Sequence, residues 1–287
     1  MAVRISPVAR SRWPIAALGI LLFLSVFFVV LMLSLPGGVV VSIARSALSG
    51  AGLELSAGEG RYVLPCSLRV ANATIGPRGK SAVPVDAITA GFEPSGLFSW
   101  LPGHLRLERG LAWIDVRTSP RVWKPGKVLV RMAGVASDDI SPLLPAAATW
   151  SFAIDAAEVA WEDASSGNAT GRGTATLARL VLPIPAADSP VREAELTDVR
   201  LRFVIRGGTV QVSSLAGRYE GAAVEGTGEI ARFSAPSESR ITFHLKIHNP
   251  LDGKVAALFN MVAKNAKNAN LRITGTLLAP AGEFQFF

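Results

Sequence analysis

Nine residues, Arg240 to His248, constrain the fold more than any other stretch of the chain. Ile241, Phe243, Leu245 and Ile247 alternate strictly with Thr242, His244, Lys246 and His248. A period of two marks a half-buried β-strand and excludes an amphipathic helix. The distinction matters because His244 and His248 are four residues apart, a spacing that on a helix would let two imidazoles share a zinc ion. On a strand they share a face but lie two pleats apart, roughly 13 Å at about 3.3 Å per residue. That separation is too large for one metal whose bonds are near ~2 Å. The pair is read as part of the solvated face beside Lys246, and no metal or other cofactor is expected.

The same period recurs from Leu53 onward. Leu68 and Val70 are in phase, then Ala73 and Ile75 take over, a switch that predicts a β-bulge between them. Leu105 and Leu107 precede, and Ile114 and Val116 follow, a turn at Arg109-Gly110. Phe152 and Ile154 give way to Val159 and Trp161. The clearest hairpin places Val199, Leu201, Phe203 and Ile205 on one face, turns at Gly207-Gly208, and returns through Val210 and Val212. Strands with few intervening helices predict a mainly β fold: an elongated, curved antiparallel sheet with an apolar inner face and two or three short helices.

Three segments read as those helices. Residues 36–50 carry a short apolar helix or linker stopped near Gly50. Ser95 to Leu101 holds Leu97, Phe98 and Trp100 behind a serine cap. Residues 251–270 form the strongest helix, with Val255, Leu258, Phe259 and Val262 as an i, i+3, i+4, i+7 stripe. That stripe suits closing one end of a sheet, or alternatively lying on a membrane surface.

Ahead of the strands, Ile15 to Leu35 is a run of 21 residues with no charge and no proline, long enough to cross a hydrocarbon core of about 30 Å as a helix. Arg4, Arg10 and Arg12 precede it with no acid among them. The positive-inside tendency then leaves residues 1–14 in the cytoplasm and residues 51–287 on the other side as one β-rich domain. The competing reading is a cleaved signal peptide, although this run exceeds the usual 7–15 apolar residues.

Composition narrows the function further. Of 29 Lys and Arg residues, 26 follow the apolar run and face 22 acids. That excess of four suits an anionic lipid surface but is too mild and scattered for nucleic acid. The single cysteine, Cys66, excludes an internal disulfide. It is read as a buried structural thiol rather than a nucleophile. His104 has no partner nearby in sequence. The glycine-rich stretches Gly171 to Thr176 and Glu225 to Ala231 neither follow a strand nor open a helix, as a phosphate cradle requires. In strands such glycines mark bulges or close backbone approach. Asp138 or Asp139 is read as a helix cap rather than an acid/base pair. Two surfaces remain: Arg200, Arg202 and Arg206 on the wet side of one strand, as solvation or as a contact for anionic lipid or an acidic partner, and Phe203, Ile205, Phe243, Leu245 and Ile247 as a candidate apolar groove.

An apolar anchor followed by glycine-punctuated strands resembles the AsmA-like envelope proteins, and more narrowly the protein N family of the type II (general) secretion pathway. Pro84 to Val116, Leu215 to Ile247 and Ala269 to Pro280 carry the likeness; Arg117 to Ala147 departs from it as an insertion. The resemblance implies a bacterial inner-membrane protein, single-pass, with a periplasmic β-domain that contacts other type II secretion components, and no enzyme activity. On that reading the chain is an accessory or structural subunit, with Arg240–His248 as an exposed edge suited to strand addition. The alternative is an envelope lipid-binding or lipid-transfer protein whose curved sheet shelters an acyl chain.

Overall fold

The structure, a computed structural model, describes residues 37–49, 53–56, 58–63, 67–77, 82–93, 96, 98, 101–119, 126–140, 150–162, 170–183, 193–233, 238–250, 256–257, 259, 267–277 and 279–286. The apolar run at 15–35 lies outside them, as do Cys66 and most of the two later predicted helices. Among the described residues no helix is long and apolar enough to cross a membrane.

Helix α1 (Gly37–Ser49) leads into β1 (Leu53–Ser56), β2 (Glu59–Val63), β3 (Ser67–Pro77), β4 (Val83–Phe92), β5 (Gly103–Arg109), β6 (Ala112–Thr118) and β7 (Lys127–Ala136). After the single-turn helix α2 (Ser137–Ile140) come β8 (Ser151–Glu162), β9 (Thr170–Pro183), β10 (Glu193–Arg206) and β11 (Thr209–Tyr219). The chain ends with β12 (Ala222–Ala231), β13 (Arg240–His248), β14 (Asn268–Gly275) and β15 (Pro280–Phe286). All fifteen strands belong to one open antiparallel sheet, and from β3 to β15 each pairs with the next in sequence. β1 and β2 are two halves of one edge: β2 pairs with the start of β3 and β1 with its end. The break falls opposite Asn72, whose φ of 51° places it in the left-handed region. There the amide of Gly58 donates to the Asn72 carbonyl at 3.2 Å. Both neighbours keep register through this point, so no residue is extra and the expected bulge is corrected to a left-handed kink. The kink lets Val70 and then Ala73 and Ile75 all reach the buried face.

Both turns expected from glycine are present: Gly110 at φ 57°, and Gly207 and Gly208 at 52° and 78°, the double positive φ of a hairpin that matches strand twist. A further turn at Glu220 and Gly221, φ 45° and 87°, joins β11 to β12. In the strand Arg240–His248 the alternation holds, with Ile241, Leu245 and Ile247 buried and His244 and Lys246 exposed. One expectation is corrected: β13 pairs with β12 on one side and β14 on the other, so it is an interior strand and offers no free edge. β1–β2 and β15 end the sheet.

Two apolar cores sit on the inner face. The first joins Leu55, Val70, Ile75, Val83, Val85 and Ile88, with Val41 and Ala44 of α1 packed over it. The guanidinium of Arg45 also donates to the Leu55 carbonyl at 3.2 Å, tying α1 to β1. The second, larger core draws on β9 to β14 and includes Leu196, Val199, Val224, Leu245, Leu271 and Phe259. Phe259 is only 1% exposed, so the predicted helix does close this end of the sheet where it is described. β15 also comes back towards β9, so the C-terminal half curls around its core.

Between the cores the inner face thins. β5 contains no buried residue and β7 buries only Val135.

Inner-face glycines make room for rings. A Cβ on Gly173 would lie 2.5 Å from Phe203 Cζ, one on Gly171 would lie 2.7 Å from Trp161 Cδ1, and one on Gly228 would collide with Phe243. The glycine-rich stretches are therefore strand interiors, in which Gly171, Gly173 and Gly228 each accommodate a cross-strand aromatic and Gly226 closely approaches Leu245.

Candidate functional site

The antiparallel register sets out the polar face as rows across the sheet. Arg200, Arg202 and Arg206 all project outward and are exposed. Their direct neighbours on β9 are Thr176, Thr174 and Thr170, and on β11 Ala216, Ser214 and Thr209. Arg172 lies opposite Val204, on the diagonal between Arg202 and Arg206, about 7–8 Å from each by strand geometry. Four arginines thus share one patch bordered by hydroxyls. Among the described residues, none of the four has a carboxylate within ion-pair distance. The sequence hid Arg172 inside "GRGTAT", where glycine drew attention; the phase it shares with Thr174 and Thr176 was the available signal.

Earlier strands behave differently. Arg69 and Arg106 both contact Glu108, at 3.2 and 2.8 Å, and Arg131 contacts Glu158 at 2.7 Å. Arg109 lies 3.7 Å from Asp139. Asp139 also accepts from the Ala136 amide at 2.9 Å, so it does cap the single turn α2.

His104 acquires a partner that only the fold could supply. Because His104 pairs with Arg117 across β5 and β6, its ring reaches Asp115 diagonally, Nε2 lying 2.9 Å from Oδ1. The approach is not aligned for an N–H donor, and Oδ1 accepts no hydrogen bond. The other oxygen, Oδ2, accepts from Arg117 Nε at 3.0 Å, and Arg117 continues to Glu93 at 3.4 Å. Asp115 is 5% exposed, the one buried carboxylate among the described residues. The Arg117 guanidinium, with the His104 ring on the other side, keeps a buried carboxylate tolerable; the cluster reads as structural.

Four of the five residues of the candidate apolar groove join the larger core. Leu245 and Ile247 are buried there at 2 and 3% exposure, and Phe203 and Phe243 are half-buried at its margin. Ile205, 6% exposed, is buried outside that cluster. Half-buried apolar residues form a second strip on the inner face, at Leu105, Leu107, Val116, Val130 and Met132 of β5 to β7, with Leu105 and Leu107 packed against the first core.

His244 and His248 remain on the wet face. His248 approaches Glu225 at 4.0 Å. Among the described residues no group of His, Cys, Asp and Glu could hold a metal ion. At the end of β11, burial and then the neighbouring Glu220 push the Tyr219 hydroxyl above its usual pKa.

The polar face is concave where β11 to β15 pass. A groove of about 660 Å³ runs over Ser213, Ser214, Glu225, Thr227, His244, Lys246, Asn270, Arg272 and Gln285. Comparisons with protein-family models, with curated proteins and with solved structures each found no match to this chain.

Proposed function

We propose that the chain is a membrane-anchored accessory subunit of the type II secretion machinery, acting through protein–protein contacts on the periplasmic side of the inner membrane. The observation that carries this reading is the mounting of the sheet. The apolar run ends at Leu35 and α1 begins at Gly37. Val41, Ala44 and Arg45 of α1 are fixed to the first core and to β1. A span that continued into α1 would hold the sheet firmly by its β1 end and leave β15 and the arginine patch for partners. Free strand edges and unpaired arginines are both surfaces that recruit protein. The family resemblance supports the same assignment. The test is to extract the tagged protein from membranes in mild detergent, identify what accompanies it, and measure exoprotein release in a deletion strain. Copurifying secretion subunits and lowered release are expected; neither occurring would end this reading.

A second reading, envelope lipid binding, is favoured by one specific feature: the half-buried apolar strip on β5 to β7. It would place an acyl chain over Leu105, Val116 and Val130, away from the packed Leu245 and Ile247. Native mass spectrometry of the intact protein should then show bound lipid that Val116→Asp and Val130→Asp remove; a lipid-free protein rules it out.

A further inference from the structure

The groove on the polar face has a local cause in the strand pairing. β11 carries one residue too many against both of its neighbours. Against β10, Arg202 pairs with Ser214 and Phe203 with Val212, leaving Ser213 over. Against β12, Val212 pairs with Gly228 and Leu215 with Gly226, so Ser213 and Ser214 together face Thr227. A bulge of this kind bends the strand and increases local twist. The Ser213 hydroxyl donates back to the Arg202 carbonyl at 3.1 Å, pinning the bulge. Short side chains at Ser213, Ser214 and Ala216 then leave the space that the longer residues of β12 to β15 border.

That border is chemically mixed in a specific way. His244 stands between Thr227 and Arg272, and Lys246 stands between Glu225 and Asn270, each a direct cross-strand neighbour. Among the described residues, neither Lys246 nor Arg272 has a carboxylate within ion-pair distance. Both present only donors. Ser214, Thr227, Asn270 and Gln285 both donate and accept, and Glu225 only accepts.

We propose that this groove binds a phosphate-bearing sugar. Arg272 and Lys246 meet the phosphate, since charge-assisted bonds from guanidinium and ammonium are the strong ones available to it. Hydroxyl and amide side chains match vicinal sugar hydroxyls, which also both donate and accept. Glu225 accepts from a sugar hydroxyl. Its charge opposes phosphate and carboxylate alike, which places the phosphate towards Arg272, two strands away, and the hydroxyls beside Glu225. The volume falls within the range of about 300–1,000 Å³ usual for small-ligand sites. The ligand could be free or the headgroup of a phosphorylated glycolipid; the chemistry recognised is the same.

Calorimetric titration of the full-length protein in neutral detergent tests this. The probes are glucosamine 6-phosphate, glucosamine, inorganic phosphate and a hexaglutamate peptide, with micelles doped with a bisphosphorylated glucosamine lipid as the lipid-borne source. The sugar phosphate, in solution or on lipid, should bind at least tenfold tighter than glucosamine or phosphate alone. Which source binds tells the two apart. Lys246→Ala and Arg272→Ala should each weaken binding about tenfold or more, the loss expected when a charged hydrogen bond is removed. Arg218→Ala, outside the groove, should leave it unchanged. All three residues are exposed, so circular dichroism should report an intact sheet. No binding, binding indifferent to Lys246 and Arg272, or hexaglutamate or phosphate binding as tightly as the sugar phosphate would each overturn the proposal.

Discussion

The strands from β9 to β15 and those from β5 to β8 belong to one sheet, yet they are held differently. In the C-terminal half the inner face curls around a core in which Val199, Leu245 and Leu271 are 0, 2 and 2% exposed. There, among the described residues, Arg172, Arg200, Arg202, Arg206, Lys246 and Arg272 have no carboxylate within ion-pair distance, although Arg179 pairs with Glu195 at 2.7 Å and Arg232 with Glu238 at 3.7 Å. In the middle the inner face is half-exposed, and the polar face is laced with ion pairs instead: Arg131 with Glu158, Arg106 with Glu108, and Asp115 with both His104 and Arg117. The exposed ones among them, such as Arg131 with Glu158, contribute only about 0–1 kcal/mol each. Stability therefore resides in the C-terminal core, which frees its outer face for binding, while the middle is the part most easily opened.

That contrast can be broken by substitution. The largest effect should come from Gly226→Val. A Cβ there would collide with the His244 carbonyl oxygen and lie 2.5 Å from Leu245 Cδ2. Backbone cannot yield as a side-chain tip can, so a loss of about 3 kcal/mol or more is expected in urea unfolding. Next, Leu245→Ala in the packed core should cost about 2–5 kcal/mol, and Leu105→Ala in the thin middle about 1 kcal/mol. Equal losses would erase the distinction between the halves. Asp115→Ala should then cost about 2 kcal/mol, because it strands the Arg117 guanidinium and the His104 ring beside a buried position, whereas Arg131→Ala should cost less than about 0.5 kcal/mol.

The smallest effect is confined to alkaline pH. Tyr219 titrates above its unfolded value, so its contribution is intact below about pH 10 and is lost as pH rises through the raised folded value. Tyr219→Phe should remove that part of the alkaline decline. An unchanged alkaline melting curve would mean the hydroxyl is not buried as described.

Much of this fold was legible because strand alternation is a local signal. The period of two in Arg240–His248 identified its buried and wet faces, and paired glycines marked the turn at 207–208. The phase switch after Val70 located an irregularity at Asn72 that proved to be a left-handed kink rather than a bulge. What failed was whatever depends on register. The sequence could not say that β13 is interior, since edge and central strands alternate alike. Nor could it bring Asp115 to His104, which meet only through a diagonal across β5 and β6. The apolar groove was misplaced for a related reason: alternation reports that Leu245 and Ile247 face inward but not whether neighbours already fill the space. The extra residue at Ser213, which makes the polar groove, shows in the sequence only as a phase switch from Val212 to Leu215 across two serines.

The most direct test is photocrosslinking in living cells, with the reactive residue placed singly at Arg202 on the polar face, Glu283 on the terminal strand and Leu105 on the thin inner face. The account predicts capture of type II secretion proteins from Arg202 or Glu283. Capture of phospholipid from Leu105, with no protein crosslinked from either of the other two positions, would contradict it.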